Sequence, residues 1–275
     1  RLVEFKDTYP DRFFDVGIAE QNLIDFSAGL ALEGLRPFAG GLAAMVPMRP
    51  AEQVRAALGY MNANVTVIGI EAGVRFGPLG NTHYAMDDIA VVRAIPNFTV
   101  IAPSDPLSTH KALYACIEHE GPVYMRLTGG PGYPVMYPED FDFQIGKAIE
   151  YRPGSDVAFI ASGSLLADAV GAADILEGKG ISTRVVDMHT IKPLDADMLD
   201  KVFAENKLVV TVEEHSPMGG LGGAVAEYKA GVAGSPKQVM ASLGDKFQKL
   251  GDHKFLMKEN GLTAPDLAAL AETNL

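Results

Sequence analysis

Asp15-Val16-Gly17-Ile18-Ala19-Glu20-Gln21-Asn22 is the stretch whose reading decides the fold of this chain. It stands where a polar turn gives way to an apolar-periodic segment, with Leu23, Phe26, Ala28, Leu30 and Ala31 spaced for one side of a helix. The pattern predicts a strand running into the N-terminus of a buried helix over 19–33. Glu20 opens that helix. A carboxylate in a first turn is favoured by the helix dipole, so a solvated helix-start or capping residue is its plain reading.

Outward from the octet, apolar periods alternate between helix and strand. Helical spacing covers 50–61, 86–94 and 105–118, and β-branched strands fall at 65–70, 98–102 and 123–127. Such alternation implies βα units on a mainly parallel sheet. Thr128-Gly129-Gly130-Pro131-Gly132-Tyr133-Pro134 is dense in turn formers and reads as a linker. The pattern then restarts, with strands at 157–161, 182–187 and 208–212 and helices at 164–178, 195–204 and 220–231. Short helices are expected near Phe255 and over 265–270. The fold class is therefore α/β: two consecutive domains, residues 1–134 and 135–275, each with a mainly parallel sheet flanked by helices. No internal period links the two halves.

Composition narrows the functions. With 275 residues, 48% hydrophobic and 21% charged, the chain is globular in character. A net charge of −12 argues against nucleic acid and anionic membrane surfaces as partners. Cys116 is the single cysteine, so no internal disulfide forms, and its apolar helical surroundings predict a buried, inert thiol. No apolar run is long enough to span a membrane and no signal-peptide pattern is present, which points to the cytoplasm.

The octet as a whole resembles the motif of the transketolase-like thiamine diphosphate enzymes. The resemblance continues through Gly80-Asn81-Thr82-His83, Asp87-Asp88-Ile89-Ala90, Arg93-Ala94-Ile95-Pro96-Asn97, Ala102-Pro103-Ser104-Asp105 and Tyr124-Met125-Arg126-Leu127. In the second half, Val212-Glu213-Glu214-His215 with Gly219-Gly220-Leu221-Gly222 is similar to the family's C-terminal domain. The order and spacing of the pieces carry the likeness, since each alone is weak. It implies a pyrimidine-binding domain followed by a transketolase C-terminal-like domain, with a strand and a helix of the fold lying before Arg1. It also implies that Glu20 is catalytic, its carboxyl group hydrogen-bonded to the cofactor's aminopyrimidine so that the cofactor generates its own base.

The family holds the diphosphate and its Mg²⁺ through a Gly-Asp-Gly motif and a later pair of asparagines. Gly244-Asp245 and Gly251-Asp252 are the only Gly-Asp pairs here and lack that context, and a hard cation bridging a diphosphate needs such oxygen ligands. The resemblance is thus to one subunit of a split transketolase. It implies that an N-terminal diphosphate-binding partner holds thiamine diphosphate and Mg²⁺, that this chain self-associates to a dimer within an α₂β₂ complex, and that it is inactive alone. A deoxyxylulose phosphate synthase-like subunit, a 2-oxo acid dehydrogenase beta-type subunit and a non-catalytic docking subunit are the alternatives.

Leu42 and Met45 stand where the family places aromatic residues against the aminopyrimidine, and methionine can pack on a ring. With Met48 they are the candidate cofactor-binding residues; ordinary core packing is the other reading. The family often carries an acidic residue where Leu79 stands and a histidine near the position of Glu71 or Ala72, and these departures bear on the sugar donor. His83 is implied to assist proton transfer at the donor, against a histidine merely satisfied in a glycine-rich turn. Arg126 fits a substrate phosphate clamp or a structural ion pair. The loop over 73–86 contains Gly-Pro and Gly-Asn pairs, and 76–81 is expected to be irregular and mobile without a partner. The glycine turn after His215 reads as close packing and capping.

Overall fold

The computed structural model describes residues 2–130 and 132–275. Among the described residues, ten strands build two five-stranded sheets: β1 (Phe38–Leu42), β2 (Thr66–Ile70), β3 (Thr99–Ile101), β4 (Val123–Arg126), β5 (Ile149–Arg152), β6 (Val157–Ala161), β7 (Thr183–Asp187), β8 (Thr190–Lys192), β9 (Leu208–Val212) and β10 (Lys237–Ala241). The first sheet has the order β1-β2-β4-β3-β8 and the second β10-β9-β6-β7-β5. All pairs are parallel except β3 with β8 and β5 with β7. The central strands β4, β6, β7 and β9 are buried along their whole length, as parallel strands covered on both faces by helices must be. Their Val- and Ile-rich runs explain why the sequence reads clearly there.

β8 changes the domain picture. It lies in the second half of the chain yet pairs antiparallel with β3, placing Val100 opposite Lys192 and Ile101 opposite Thr190. Ala102 N–H donates to His189 O at 2.7 Å, and Lys192 Nζ donates to Arg93 O at 2.9 Å. A strand from beyond the expected boundary at residue 134 thus completes the sheet of the first half. Across the junction one apolar cluster includes Ile89, Val92, Val100 and Tyr124 from the first half with Met188, Ile191, Leu221 and Val225 from the second.

Two further expectations are corrected. No strand precedes Glu20 among the described residues. Gly17 takes a positive φ of +72°, its N–H is captured by Asp15 Oδ1 at 2.9 Å, and Ala19 N–H turns back to Gly17 O. Those local turns break an extended run before any strand can form. Conversely β1 is a strand that apolar patterning missed, because Gly40 and Gly41 lie within it. Gly41 is needed there: a Cβ would stand 2.4 Å from Val46 Cγ1.

Candidate functional site

In parallel α/β sheets, ligands bind outside the carboxyl ends of the strands. β1 and β2 end side by side at Leu42 and Ile70, and Ala43 N–H continues the ladder to Ile70 O at 2.8 Å. The chain then folds into a tight turn. Met45 N–H donates to Leu42 O at 2.8 Å, and the Met48 and Arg49 amides donate to Met45 O at 3.2 and 3.0 Å. Val46 goes into the core, while Leu42 and Met45 stay half-buried. Met48 and Ile70 remain 36% and 39% exposed. The outcome is an apolar face that this chain leaves uncovered, and Met48 is not a core residue.

Glu20 stands beside that turn. It opens the helix Glu20–Leu32, whose Ile24 and Ala28 are buried in the first domain's core. Its side chain is only 15% exposed, and Arg49 Nη1 lies 3.2 and 3.3 Å from its two oxygens. Arg49 escaped the sequence reading, although its position directly after Met48 was the available signal. A largely shielded carboxyl group, tied through Arg49 to the turn that carries Met45 and Met48, suits a flat heteroaromatic ring with a polar nitrogen on its edge. These residues fit the aminopyrimidine of thiamine diphosphate.

His83 sits in a separate loop. Its half-buried ring contacts the Thr82 hydroxyl at 2.9 Å and Phe76, whose ring centroid is 5.8 Å away. The loop is closed at its base by paired backbone bonds between Gly73 and Ala85, at 3.1 and 2.9 Å. It is irregular, with only a single 3₁₀ turn at Gly77–Leu79, but it does not lack fixed partners as expected. Asn81, Tyr84 and Val74 all bond to the second domain, through Gln248, Lys249 O and Glu214. Leu79 is half-exposed beside them. Among the described residues, no hydrogen bond or ion pair joins His83 to Glu20.

Arg126 is corrected from the phosphate clamp to the ion pair. It is almost wholly buried; its Nε donates to Asp88 Oδ2 at 2.8 Å, and its Nη2 donates to Ala85 O and Glu214 O, both at 2.9 Å. Burial works against its charge, but Asp88 more than restores it, and the guanidinium pKa ends above the ordinary value. Tyr124 donates to the same Asp88 oxygen at 2.7 Å. His215 Nε2 faces the other oxygen at 3.8 Å, its pKa pushed down to about 4 by burial, so the ring is neutral at pH 7.

The glycine turn after His215 holds its own carboxyl group. Glu213 accepts from Leu221 N–H at 2.7 Å and Gly222 N–H at 2.8 Å, occupying the helix N-terminus from within. A Cβ on Gly220 would stand 2.0 Å from Glu213, so close packing and capping are what the glycines serve. Cys116 is buried, and desolvation raises its thiol to about 11, far from nucleophilic. Among the described residues no helix is long and apolar enough to cross a membrane.

Comparison with known proteins identifies the family. Residues 1–130 match the transketolase pyrimidine-binding domain and residues 146–266 the transketolase C-terminal domain. An apulose-4-phosphate transketolase subunit from Phocaeicola vulgatus is 40% identical over 227 residues, spanning 82% of this chain and 72% of that protein. A 6-deoxy-6-sulfo-D-fructose transketolase subunit from a Clostridium species is 35% identical, over 97% of this chain and 82% of the relative. Among solved structures, a split-gene transketolase described as an inactive beta4 tetramer superposes with a TM-score of 0.90 at 37% identity, covering 99% of this chain and 86% of that one.

Proposed function

This chain belongs to the transketolase family, and from that premise we propose that it is the pyrimidine-binding and C-terminal subunit of a split transketolase, moving a two-carbon ketol unit between sugar phosphates or related sugars. The observation that carries the proposal is the half-buried Glu20 carboxyl group beside the uncovered face of Leu42, Met45, Met48 and Ile70. Thiamine diphosphate, on which the family depends, supplies when bound the carbon nucleophile and the electron sink for cleaving a bond next to a carbonyl. This chain's residues do the rest of the work on their side of the site. Glu20 holds a proton at the ring nitrogen of the aminopyrimidine, while Arg49 fixes its orientation. Leu42, Met45 and Met48 pack on the ring and keep water from it. His83 moves a proton at the donor's oxygen.

The diphosphate and Mg²⁺ fall to an N-terminal partner subunit in this proposal, which the similarity to subunits of split transketolases supports. The beta4 assembly of the similar split-gene protein, inactive in that form, supports both self-association and the need for a partner. The working form in this proposal is an α₂β₂ complex in the cytoplasm. The two relatives are named for a phosphorylated and a sulfonated sugar, which supports an anionic ketose as donor. Arg126, committed to Asp88, has no part in gripping it.

Reconstitution with a diphosphate-binding transketolase subunit tests the proposal. The isolated chain is expected to show no ketol transfer and the mixture to show it. Glu20→Gln is expected to assemble normally but turn over about 10²–10⁴ more slowly, the scale of a lost acid–base contribution. Turnover of the variant within about threefold of the unmutated complex would refute the role of Glu20.

A further inference from the structure

The His83 loop belongs to the first domain, yet its tip is held by the second. Asn81 Nδ2 donates to Gln248 O at 2.8 Å, and Gln248 N–H donates to Asn81 Oδ1 at 2.7 Å. Both halves of the amide are used, as in a pair of peptide groups, so neither rotation nor an amide flip is free. The Gln248 side chain is buried and donates to Leu243 O at 2.7 Å and Lys246 O at 3.1 Å, closing the turn that presents its backbone. Leu243 is buried in turn, its N–H bonded to His215 O. The clamp is thereby tied to the core of the second domain.

The two surfaces meet without space for a side chain. A Cβ on Gly77 would stand 2.3 Å from Gly251 O, and one on Gly80 would stand 2.4 Å from Leu250 Cδ2. The Tyr84 hydroxyl donates to both Gly77 O and Lys249 O, spanning the same seam. His83 follows Asn81 by two residues, and its own N–H closes a turn onto Gly80 O at 2.8 Å. Once Gly77, Gly80 and Asn81 are fixed, the backbone carrying the imidazole has little freedom left. We propose that the second domain positions His83, with Asn81 as the positioning residue and the turn closed by Gln248 as its anchor. The proposal rests on the reading of His83 as a proton-transfer group and adds what sets its place. It gives the C-terminal domain, which carries none of the candidate cofactor-binding residues, a task in the reaction.

The experiment has two arms. Hydrogen exchange on the full chain is expected to accelerate about tenfold over residues 76–85 in both Asn81→Ala and Gln248→Ala, with β6 and β9 unchanged; the scale is that of one to two net hydrogen bonds. In the complex reconstituted with a diphosphate-binding transketolase subunit, Asn81→Ala is expected to lower kcat about tenfold and leave the thiamine diphosphate KM unchanged. In a His83→Ala background, Asn81→Ala should then cost nothing further, because its effect runs through the imidazole. Asn81→Ala, a loop substitution, carries the test should Gln248→Ala fail to fold. Unchanged loop exchange in Asn81→Ala, or losses from the two substitutions that multiply, would overturn the proposal. A loosened loop together with a silent His83→Ala would instead refute the reading of His83, and with it the catalytic consequence, while the clamp itself stands.

Discussion

Arg126→Met separates a structural arginine from a substrate-binding one. The guanidinium holds three acceptors, Asp88 Oδ2, Ala85 O and Glu214 O, all in buried surroundings. Methionine of similar length fills the space but leaves Asp88 without its counter-charge and the two carbonyls without this donor. Breaking one partner out of a buried pair costs about 3–5 kcal/mol, against about 0–1 kcal/mol for an exposed pair. With a urea dependence of about 2–3 kcal/mol per molar for a chain of this size, the unfolding midpoint should fall by about 1–2.5 M. Asp88→Asn in the same background should recover part of the loss, since it removes the orphaned charge. Urea titration followed by circular dichroism reads all three proteins. Were Arg126 a phosphate clamp, its replacement would leave the midpoint unmoved and raise the donor KM in the reconstituted complex; that pair of results would refute the assignment.

Asp187 supplies a pH dependence. Burial raises its pKa from 3.8 to about 7, while hydrogen bonds from Ser104 and Tyr137 oppose the rise. Between those values the folded protein keeps a proton that the unfolded chain has released, so this group's contribution is complete below about pH 4 and is lost as pH climbs through 7, on the order of 4 kcal/mol. Asp187→Asn should therefore gain stability relative to the unmutated chain from pH 5 to pH 8 in thermal melts, and a difference constant with pH would contradict it. Gly73 has a φ of +67° and a would-be Cβ 2.3 Å from Glu214 Oε1. Gly73→Ala should cost about 1–3 kcal/mol and weaken the bond from Val74 N–H to Glu214, visible as a lower melting temperature and faster exchange at Val74.

Legibility tracked locality. Buried parallel strands such as Val157-Ala-Phe-Ile-Ala161 and Leu208-Val-Val-Thr-Val212 announce themselves by composition alone. The helix Pro106–Glu118 is likewise marked by Asp105, which caps it through Ser108. Short or end strands did not show. β1 is interrupted by two glycines, one of them required by the close approach of Val46, and β8 has three residues whose partner lies about ninety positions earlier. Among the candidate site residues, Glu20 drew attention because a whole octet framed it. Arg49 and the Asn81–Gln248 clamp did not, since an arginine in a turn and an amide 167 residues from its partner leave no periodic trace. The partners that hold the loop over 76–81 were hidden for the same reason: glycine and proline describe a loop's own freedom, not what leans on it.

The crossing of β8 bears on how this protein could ever be divided. A cut at residue 134 leaves β1 to β4 of the first sheet but removes β8, so that β3, still paired with β4, becomes an open edge. Thr99-Val100-Ile101 would then present unpaired amides and carbonyls between fully buried side chains. Bare apolar edges of that kind recruit strands from other copies. A fragment of residues 1–134 should therefore aggregate unless a Thr190-Ile191-Lys192 segment is supplied in trans, and the two halves are not interchangeable cassettes.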